Sequence, residues 1–446
     1  MSSNTLAASV DTLMINGERL MQMMGAVGAI GALPNGGVRR LAFSPEDVQA
    51  RQQVQHWMKA AGMTVTIDAA GNIIGRYRGR FPHAPALATG SHLDTVPNAG
   101  IYDGTYGVLA GIEAARTLHE HGIYPDHPIE VIVFADEERT MIGSKAMAGK
   151  ASLEPNFYDH PHYEPIEISL GHIGGDWSQL PAAQRDTDGL AAFVELHVEQ
   201  GPVLEAAANP LGLVTGIVGQ RRYLITIDGS ASHAGTTPMA MRQDALVAAS
   251  QIILAVNRIG CRTGDGYGEQ VATVGAMELS PNVANTIPGR VEMTLDIRDL
   301  SNQRLDAMIA ALELEIGAIA TTTDTQIGTK LQLRNEPVPV NSHIYNAIAQ
   351  VCCELELPTQ ALPSRASHDA QIIANITDMG MIFVPSQGGI SHAETEYTTA
   401  EHCIQGANVL LHTLLKLDQH YRCPEDNEAM PAGEVMPAAA VQKSKV

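Results

Sequence analysis

Short apolar runs alternate with a helix-spaced apolar stripe in the first half of the chain, and this pattern constrains the fold more than any other feature. The runs are Ala86–Ala88, Ile129–Ala135 and Ala191–Val198, each short enough for one buried strand. Between the first two, apolar residues recur along Val108–Leu118 with the spacing of one helix face. Alternating strands and helices favour a doubly wound, mostly parallel sheet. The sequence therefore predicts an α/β domain.

From residue 223 onward the order of elements changes. The pattern predicts, in turn, strand Tyr223–Asp228, helix Arg242–Ile259, strands Val271–Leu279 and Val291–Asp299, helix Leu305–Ile319 and strand Thr325–Leu333. That order, βαββαβ, is the ferredoxin-like arrangement of two helices on an antiparallel sheet. Helix and strand then alternate again, with an apolar run at Met381–Pro385. We therefore expect a core domain formed by residues 1–222 and 336–422, an inserted α+β domain at 223–335, and a disordered tail at 423–446.

Composition and charge exclude several classes of protein. The 446 residues carry a formal net charge of −21, whereas a nucleic-acid partner requires an excess of Lys and Arg. No apolar run is long enough for a membrane span, and polar residues interrupt Met1–Met24, where a signal-peptide core would lie. The five cysteines lack C-x-x-C spacing, which favours a reducing compartment. We expect a soluble, cytoplasmic protein without nucleic-acid or membrane partners.

Side chains that can bind metal follow several of the predicted strands. The segments that contain them are Ser91–Asp94, Tyr102–Gly104, Asp136–Glu138, Glu195–His197 and Ser391–Glu394. Taken alone, each segment could equally be a solvated loop or contain an ordinary core histidine, and it need not bind metal. Together they lie where the carboxyl ends of strands form sites in open α/β sheets, and a metal would offset the cost of burying them. Imidazole and carboxylate ligands without thiolates suit Zn²⁺, Mn²⁺, Co²⁺ or Ni²⁺.

Longer motifs around these segments carry a family resemblance. The motifs are Gly90–Asn98, Asp103–Gly104, Phe134–Glu138, Glu195–Pro202, Gly219–Arg222, Ser232–Met239, Asn282–Arg290 and Ser391–Thr395. In this order they resemble the amidase/hydantoinase/carbamoylase family, over most of the chain. Its members include N-carbamoyl-L-amino-acid hydrolases, β-ureidopropionases and allantoate amidohydrolases, and they are relatives of the aminoacylase-type metallopeptidases.

The resemblance implies a centre of two divalent metal ions. One ion would be held by His92 and His197, the other by Glu138 and His392, with Asp103 bridging the two. Such a pair of ions activates a water molecule for hydrolysis.

Other acidic residues near these ligands have implied or possible roles. Glu137 would act as the general base that takes a proton from water and delivers it to the leaving nitrogen. Asp94 is placed to orient the imidazole of His92, although it could also be a simple turn residue. His368 and Asp369 follow a serine, but neighbours in sequence do not form a catalytic triad, and we expect this pair to support the pocket.

The resemblance also implies residues that contact the substrate. Arg290 would bind a substrate carboxylate, because a guanidinium can hold it bidentately, with Asn285 beside it and Gln220 nearby. Gln200 is a candidate for a contact in the metal pocket. His233 would reach the site from the partner subunit and stabilise negative charge on the reacting carbonyl. The inserted domain would then be both a lid and the interface of a homodimer.

Two departures from the family pattern place an arginine near the expected pocket. Arg139 follows the acidic pair, where family members usually have glycine, and Arg365 precedes His368 in a segment that is usually Ser-Gly-Ala. Our hypothesis is a changed substrate preference, for example for a second anionic group.

The expected reaction is hydrolysis of an N-carbamoyl (ureido) acid to the amino acid, CO₂ and ammonia. Alternatives within the same class are allantoate or ureidoglycolate hydrolysis, and a more distant one is an aminoacylase or dipeptidase. A binding protein that merely kept the fold predicts the loss of a ligand or of the base. The five expected metal ligands and the expected base Glu137 are all present, which disfavours a binding protein without activity.

Overall fold

The computed structural model describes residues 13–161, 163–262 and 270–421, so the expected disordered tail lies outside the described residues. Its strands are β1 (Thr64–Ile67), β2 (Ile73–Tyr77), β3 (Ala86–His92), β4 (Ile129–Phe134), β5 (Leu190–Val198), β6 (Leu211–Ile217), β7 (Gly219–Asp228), β8 (Ser232–His233), β9 (Val271–Ser280), β10 (Thr286–Ile287), β11 (Arg290–Asp299), β12 (Gln326–Asn335), β13 (Val338–Pro339), β14 (Thr359–Ser364) and β15 (Met379–Val384). Its α-helices are α1 (Gly17–Gly28), α2 (Pro45–Ala60), α3 (Thr105–Glu120), α4 (Ile142–Met147), α5 (Ile166–His172), α6 (Val203–Ala206), α7 (Ala245–Gly260), α8 (Asn302–Thr323), α9 (Ser342–Glu354), α10 (Asp369–Ile373) and α11 (Ala400–His420). Within these stretches, no helix combines the length and apolar character that crossing a membrane requires.

The larger sheet has the strand order β1-β2-β4-β3-β5-β15-β6-β13, with β14 beside β6. Its middle strands β4, β3, β5 and β15 run parallel to one another. The pairs towards the edges, from β1 to β2, β2 to β4, β15 to β6 and β6 to β13, are antiparallel. The predicted α/β fold with a mainly parallel central sheet is therefore confirmed.

Both faces of this sheet are covered. Every residue of β3, β4 and β15 is buried, which explains why these strands contain short apolar runs and show no regular alternation of apolar and polar residues. Leu87 and Val131 belong to the apolar cluster shared with α3 and α11. Ala88 and Ile132, one residue further along each strand, belong to a second cluster that includes α10. Burial on both faces holds the strand ends rigidly, and those ends carry the site.

Helix α2 begins as its sequence predicts. The Ser44 side chain accepts a hydrogen bond from the Asp47 amide, and Pro45 occupies the first turn. After the helix, Gly62 adopts a φ of +77°, a conformation that favours glycine.

A second, four-stranded sheet has the order β12-β7-β11-β9 and is antiparallel throughout. Helices α7 and α8 pack together and form a separate apolar core with it. Strand β7 begins at Gly219, earlier than the expected Tyr223, because Arg221 and Arg222 break the apolar pattern but not the backbone pairing. The early start extends the sheet back towards the larger domain, and this end of it reaches the candidate site.

Candidate metal centre and its pocket

The metal-binding side chains converge at the carboxyl edge of the larger sheet. His92 is the last residue of β3, and His197 is the last but one of its neighbour β5. Glu137 and Glu138 follow β4 in a turn that Asp136 enters with a φ of +57°. Because these strands are parallel neighbours, their carboxyl ends meet at one edge.

Asp103 lies at the centre of the group, and its two carboxylate oxygens face different partners. Oδ1 lies 3.2 Å from Nε2 of His197 and 3.7 Å from Nε2 of His92. Oδ2 lies 3.1 Å from Nε2 of His392, and that nitrogen is 3.4 Å from Oε1 of Glu138. The side chains thus form two groups that share Asp103, and the ligand atoms within each group lie within 4.8 Å of one another.

The orientation of two imidazoles is set by backbone carbonyls. Nδ1 of His92 contacts the carbonyl oxygen of Asp94 at 2.9 Å, and Nδ1 of His197 contacts that of Val198 at 2.9 Å. Because a carbonyl only accepts hydrogen bonds, Nδ1 carries the proton and Nε2 presents its lone pair to the centre. Both histidines are therefore arranged as neutral metal ligands.

Asp94 acts differently from our expectation. Its carboxylate lies 3.8 Å from Nδ1 of His92, too far for a hydrogen bond, so the backbone carbonyl orients the ring instead. The carboxylate accepts hydrogen bonds from the amides of Glu137 at 3.3 Å and Glu138 at 3.1 Å. Asp94 therefore holds the turn that presents these two glutamates.

Crowding of buried charged groups shifts the pKa values of several side chains at the centre. Burial, and then the Asp369 and Glu138 carboxylates, raise the pKa of Glu137 well above its usual range. Burial and the Asp103 carboxylate raise the pKa of Glu138 to about 8. A hydrogen bond with Asp103 raises the pKa of His392 to about 9.

One buried carboxylate oxygen at the centre also lacks a hydrogen bond. Oε1 of Glu138 accepts no hydrogen bond, although it is buried. An unpaired buried carboxylate oxygen is costly, and a cation removes that cost. The residues thus fit divalent metal ions in two respects. Their donor atoms are imidazole nitrogens and carboxylate oxygens, and a cation would neutralise the buried carboxylates.

A cavity of about 420 Å³ opens on these residues and contains some of the predicted substrate-binding side chains. Glu137, Gln200 and Gln220 line it. The Gln200 amide donates to Oδ2 of Asp103 at 3.0 Å and to the hydroxyl of Ser391 at 3.2 Å, from a backbone with a φ of +58°. Gln200 therefore joins the strand end to the loop that carries His392.

Three other predicted residues, His233, Asn285 and Arg290, do not line this cavity. In the smaller sheet Gln220 is paired with Arg298, whereas Arg290 is paired with Asp228 at the opposite end, roughly 27 Å away at 3.4 Å per residue.

The expectation that Arg290 lies near Gln220 is therefore wrong within one chain. The side chain of Arg290 is half exposed and forms ion pairs with Asp228 and Glu292. The physical reason is the register of the sheet, in which β11 starts at the end of β7 that is far from the metal centre.

The two additional arginines lie as close to the pocket as expected. Arg139 lines the cavity, but its guanidinium is held by both oxygens of Asp136 and lies 4.1 Å from the ring centroid of Tyr163. Arg365 lines an adjoining cavity of about 490 Å³ together with His392. The fixed position of Arg139 makes it part of the wall.

His368 and Asp369 lie beneath the metal centre. The ring of His368 is buried, with its centroid 4.5 Å from that of His197, and Nε2 contacts the hydroxyl of Ser364 at 2.9 Å. Next to Asp369, the amide of Ala370 donates to Glu195 at 2.9 Å. These contacts favour the supporting role that we expected for the pair.

Sequence reasoning missed several residues of the cavity wall. They are Lys145, Arg222, Arg298, Leu333 and Asn335. The signal for one of them, Arg222, was available, because residues 220 and 222 share one face of a strand once β7 is extended to Gly219. Their proximity to the metal centre required knowledge of which end of the sheet meets the larger domain.

Comparison with known proteins agrees with a metal-dependent site. Residues 88–416 match the model of peptidase family M20/M25/M40. The chain belongs to this family. It is 43% identical over 413 residues to an N-carbamoyl-L-amino acid amidohydrolase of Geobacillus stearothermophilus, covering 91% of this chain and 100% of that protein. It is 36% identical over 394 residues to an allantoate amidohydrolase of Bacillus subtilis, covering 87% and 94%.

A solved structure is similar to the chain over most of its length. An amidase of the hydantoinase/carbamoylase family from Burkholderia multivorans aligns with a TM-score of 0.84 and 38% identity, covering 91% of this chain and 98% of that one. The resemblance inferred from the sequence motifs is thus confirmed. Membership also accounts for the ligand groups, because the family is metal-dependent.

Proposed function

We propose that the chain hydrolyses the ureido C–N bond of an N-carbamoyl-L-amino acid or related ureido acid, giving the amino acid, CO₂ and ammonia, with two divalent metal ions. One observation supports this above the others: two ligand groups share Asp103 and lie beside Glu137 in one cavity. The relatives named as N-carbamoyl-L-amino acid amidohydrolases support the choice of substrate class.

In this proposal His92 and His197 would hold one ion, Glu138 and His392 would hold the other, and Asp103 would be a ligand common to both groups. Such ions make water more acidic and polarise a carbonyl group.

Glu137 takes the proton of the attacking water and returns it to the leaving nitrogen. Its burial suits this role, because a carboxylate with a raised pKa binds the transferred proton more strongly than an exposed one would. The Asp94 carboxylate holds the Glu137 amide and so keeps the base beside the centre. Gln200, already bonded to Asp103 and Ser391, orients the substrate at the same place.

The smaller sheet serves in this proposal as a lid and as the interface of a homodimer. Val247 and Leu254 on α7 and Met277 on β9 are exposed apolar side chains, with exposures of 46%, 60% and 42%. Strand β9 is also an unpaired edge of its sheet. A second copy would cover these groups and pair the edge.

The dimer would also supply what one chain does not bring to the cavity. The partner subunit's His233, the partner subunit's Asn285 and the partner subunit's Arg290 would enter it from outside and bind the reacting carbonyl and a carboxylate. This arrangement would explain why these three residues do not line the cavity of their own chain.

The test of the function is metal-dependent turnover. We would remove metal with a chelator, restore Mn²⁺, Co²⁺ or Zn²⁺, and follow ammonia release from N-carbamoyl-L-amino acids and β-ureidopropionate. We expect turnover only with metal. A Glu137→Gln variant should bind metal normally and lose about 10²- to 10⁴-fold in kcat. Absence of metal-dependent turnover would refute the proposal, and full activity of Glu137→Gln would refute the role of the base.

Allantoate or ureidoglycolate hydrolysis is the second candidate. It is favoured by relatives named as allantoate amidohydrolase and ureidoglycolate hydrolase, at 36% and 33% identity. Both substrates belong in the same assay, as does an N-acyl amino acid for the aminoacylase alternative. The substrate with the highest kcat/KM decides between them.

A further inference from the structure

Two arginines that the proposed mechanism does not use face the metal centre from the smaller sheet. Arg222 on β7 and Arg298 on β11 both line the cavity that contains Glu137. They occupy the open face of the sheet, since Tyr223 and Ile297, one residue away in each strand, pack into the core beneath the helices. The cavity therefore has a wall of acidic residues and metal ligands and, across from it, a wall with two guanidinium groups.

The Asp296 carboxylate holds both guanidiniums by one edge. Nε of Arg298 donates to Oδ1 at 2.8 Å. Nε and Nη2 of Arg222 donate to Oδ2 at 3.3 Å and 3.2 Å, and the Gln220 amide donates to the same oxygen. Asp296 thereby orients both arginine side chains.

The outer nitrogens of these arginines remain available. Among the described residues, Nη1 of Arg222 and Nη2 of Arg298 have no hydrogen-bond partner, while Nη1 of Arg298 donates to the backbone carbonyl of Arg365 at 2.6 Å. Two guanidiniums share the single carboxylate of Asp296, so this wall keeps a net positive charge.

Other cations of the cavity are already occupied or differently placed. The guanidinium of Arg139 is bound to Asp136 and the ring of Tyr163. Nζ of Lys145 donates to the carbonyl of Thr140 at 2.8 Å and lies on the side of the acidic residues. Arg222 and Arg298 are thus the cavity's best-placed cations for an anionic group.

We infer that Arg222 and Arg298 bind a carboxylate of the substrate and set the preference for acidic substrates, with Asp296 as their positioning residue. The inference rests on the proposed function, because it assumes a ureido acid in this cavity. The carboxylate could be the α-carboxylate or one on the amino-acid side chain. Both have the geometry that a pair of guanidinium N–H groups recognises.

The experiment compares kcat/KM for acid substrates and for their amides. It uses the metal-loaded protein in the oligomeric state in which it is purified. The α-carboxylate is tested by N-carbamoyl-L-alanine against N-carbamoyl-L-alaninamide. A side-chain carboxylate is tested by N-carbamoyl-L-aspartate against N-carbamoyl-L-asparagine. The variant is Arg222→Gln, and Arg80→Gln is the matched control, because Arg80 is an exposed arginine after β2 that pairs with Asp126 and does not line the cavity.

We expect Arg222→Gln to lower kcat/KM for one acid roughly tenfold more than for its amide, mainly through KM, since Arg222 is partly exposed. If kcat/KM falls more for N-carbamoyl-L-alanine than for N-carbamoyl-L-alaninamide, the two arginines bind the α-carboxylate. If it falls more for N-carbamoyl-L-aspartate than for N-carbamoyl-L-asparagine, they bind the side-chain carboxylate. An equal loss for acid and amide in both pairs, or no loss, overturns the inference. Arg80→Gln should leave every ratio unchanged.

A binding measurement separates this inference from the proposed function. Calorimetric titration of each acid and its amide from the two pairs above into metal-loaded Glu137→Gln, with and without Arg222→Gln, reports affinity without chemistry. If the wild-type protein turns over no substrate, the proposed function fails on its own. The inference then fails as well unless Arg222→Gln weakens binding of an acid roughly tenfold more than binding of its amide.

Discussion

The metal-free protein should lose stability as the pH rises from about 6.5 to 8. Glu138 is one reason, because burial and Asp103 raise its pKa from 4.5 to about 8 in the folded state. In that range the folded state holds a proton on Glu138 that the unfolded state has already released. The folded state therefore binds more protons than the unfolded state, and by linkage the free energy of unfolding falls with rising pH.

The size of the effect follows from the pKa difference. Each pH unit in which only the folded state keeps the proton removes about 1.4 kcal/mol, so Glu138 alone accounts for roughly 2 kcal/mol over this range. His197, whose folded pKa is raised from 6.5 to about 9, acts in the same direction, because its stabilising contribution is complete below 6.5 and is lost as the pH rises through 9. His92 has a lowered pKa, and its opposing contribution is already complete above 6.5.

The assay is urea unfolding with a chelator present, at several pH values between 6.5 and 8. Divalent metal should abolish or reverse the slope, because metal takes the place of the protons and binds only the folded state. A Glu138→Gln variant should show a slope smaller by roughly 2 kcal/mol over the range. This prediction would be refuted if the free energy of unfolding of the metal-free protein stayed flat or rose over this range, or if Glu138→Gln left its pH dependence unchanged. Either result would show that burial and neighbouring carboxylates do not raise the pKa of Glu138.

Three further outcomes follow from the geometry. Gly104→Ala should weaken metal binding by about tenfold or more in a calorimetric titration, since a Cβ there would lie 2.4 Å from Nε2 of His92 at a φ of +61°, whereas Gly275→Ala, with nothing within 4 Å, should not. Asp94→Asn should retain metal but lower kcat about 10- to 100-fold, because one of the two amides that it holds loses its acceptor; unchanged kcat would exclude this positioning role. Leu254→Glu should convert the proposed dimer to a monomer in analytical ultracentrifugation, and a monomeric wild-type protein would remove the basis for that expectation.

The sequence was informative where burial leaves a simple pattern. Strands β3, β4 and β5 were predictable because both faces of the sheet are covered, so nearly every residue is buried and each strand contains a short apolar run. Strand β6 was not, because Leu211–Ile217 contains two glycines, which have low strand propensity, and only its place between β15 and β13 makes it a strand. Local preference failed there because tertiary pairing determines the structure.

At the metal centre, residue type and strand topology were sufficient to assemble the ligands but not to orient them. Histidines and acids after parallel strands had to meet at one edge. The carbonyl that orients His92 and the carboxylate of Asp94 belong to the same residue, and the sequence does not distinguish which of them meets the ring. The choice depends on the turn at Asp136, whose positive φ points the amides of Glu137 and Glu138 at Asp94.

The smaller sheet shows why substrate-binding residues were the hardest to place. Its strands were predictable, but pairing register decides that Gln220 and Arg298 share one end while Arg290 lies at the other. One chain therefore brings only the near end to its own metal centre, and in the proposed dimer the far end would serve the other copy. The two carboxylate sites, from Arg222 within the chain and from the partner's Arg290, should thus be separable. A monomeric variant should lose the contribution of the second and keep the acid-over-amide preference in binding that Arg222 provides.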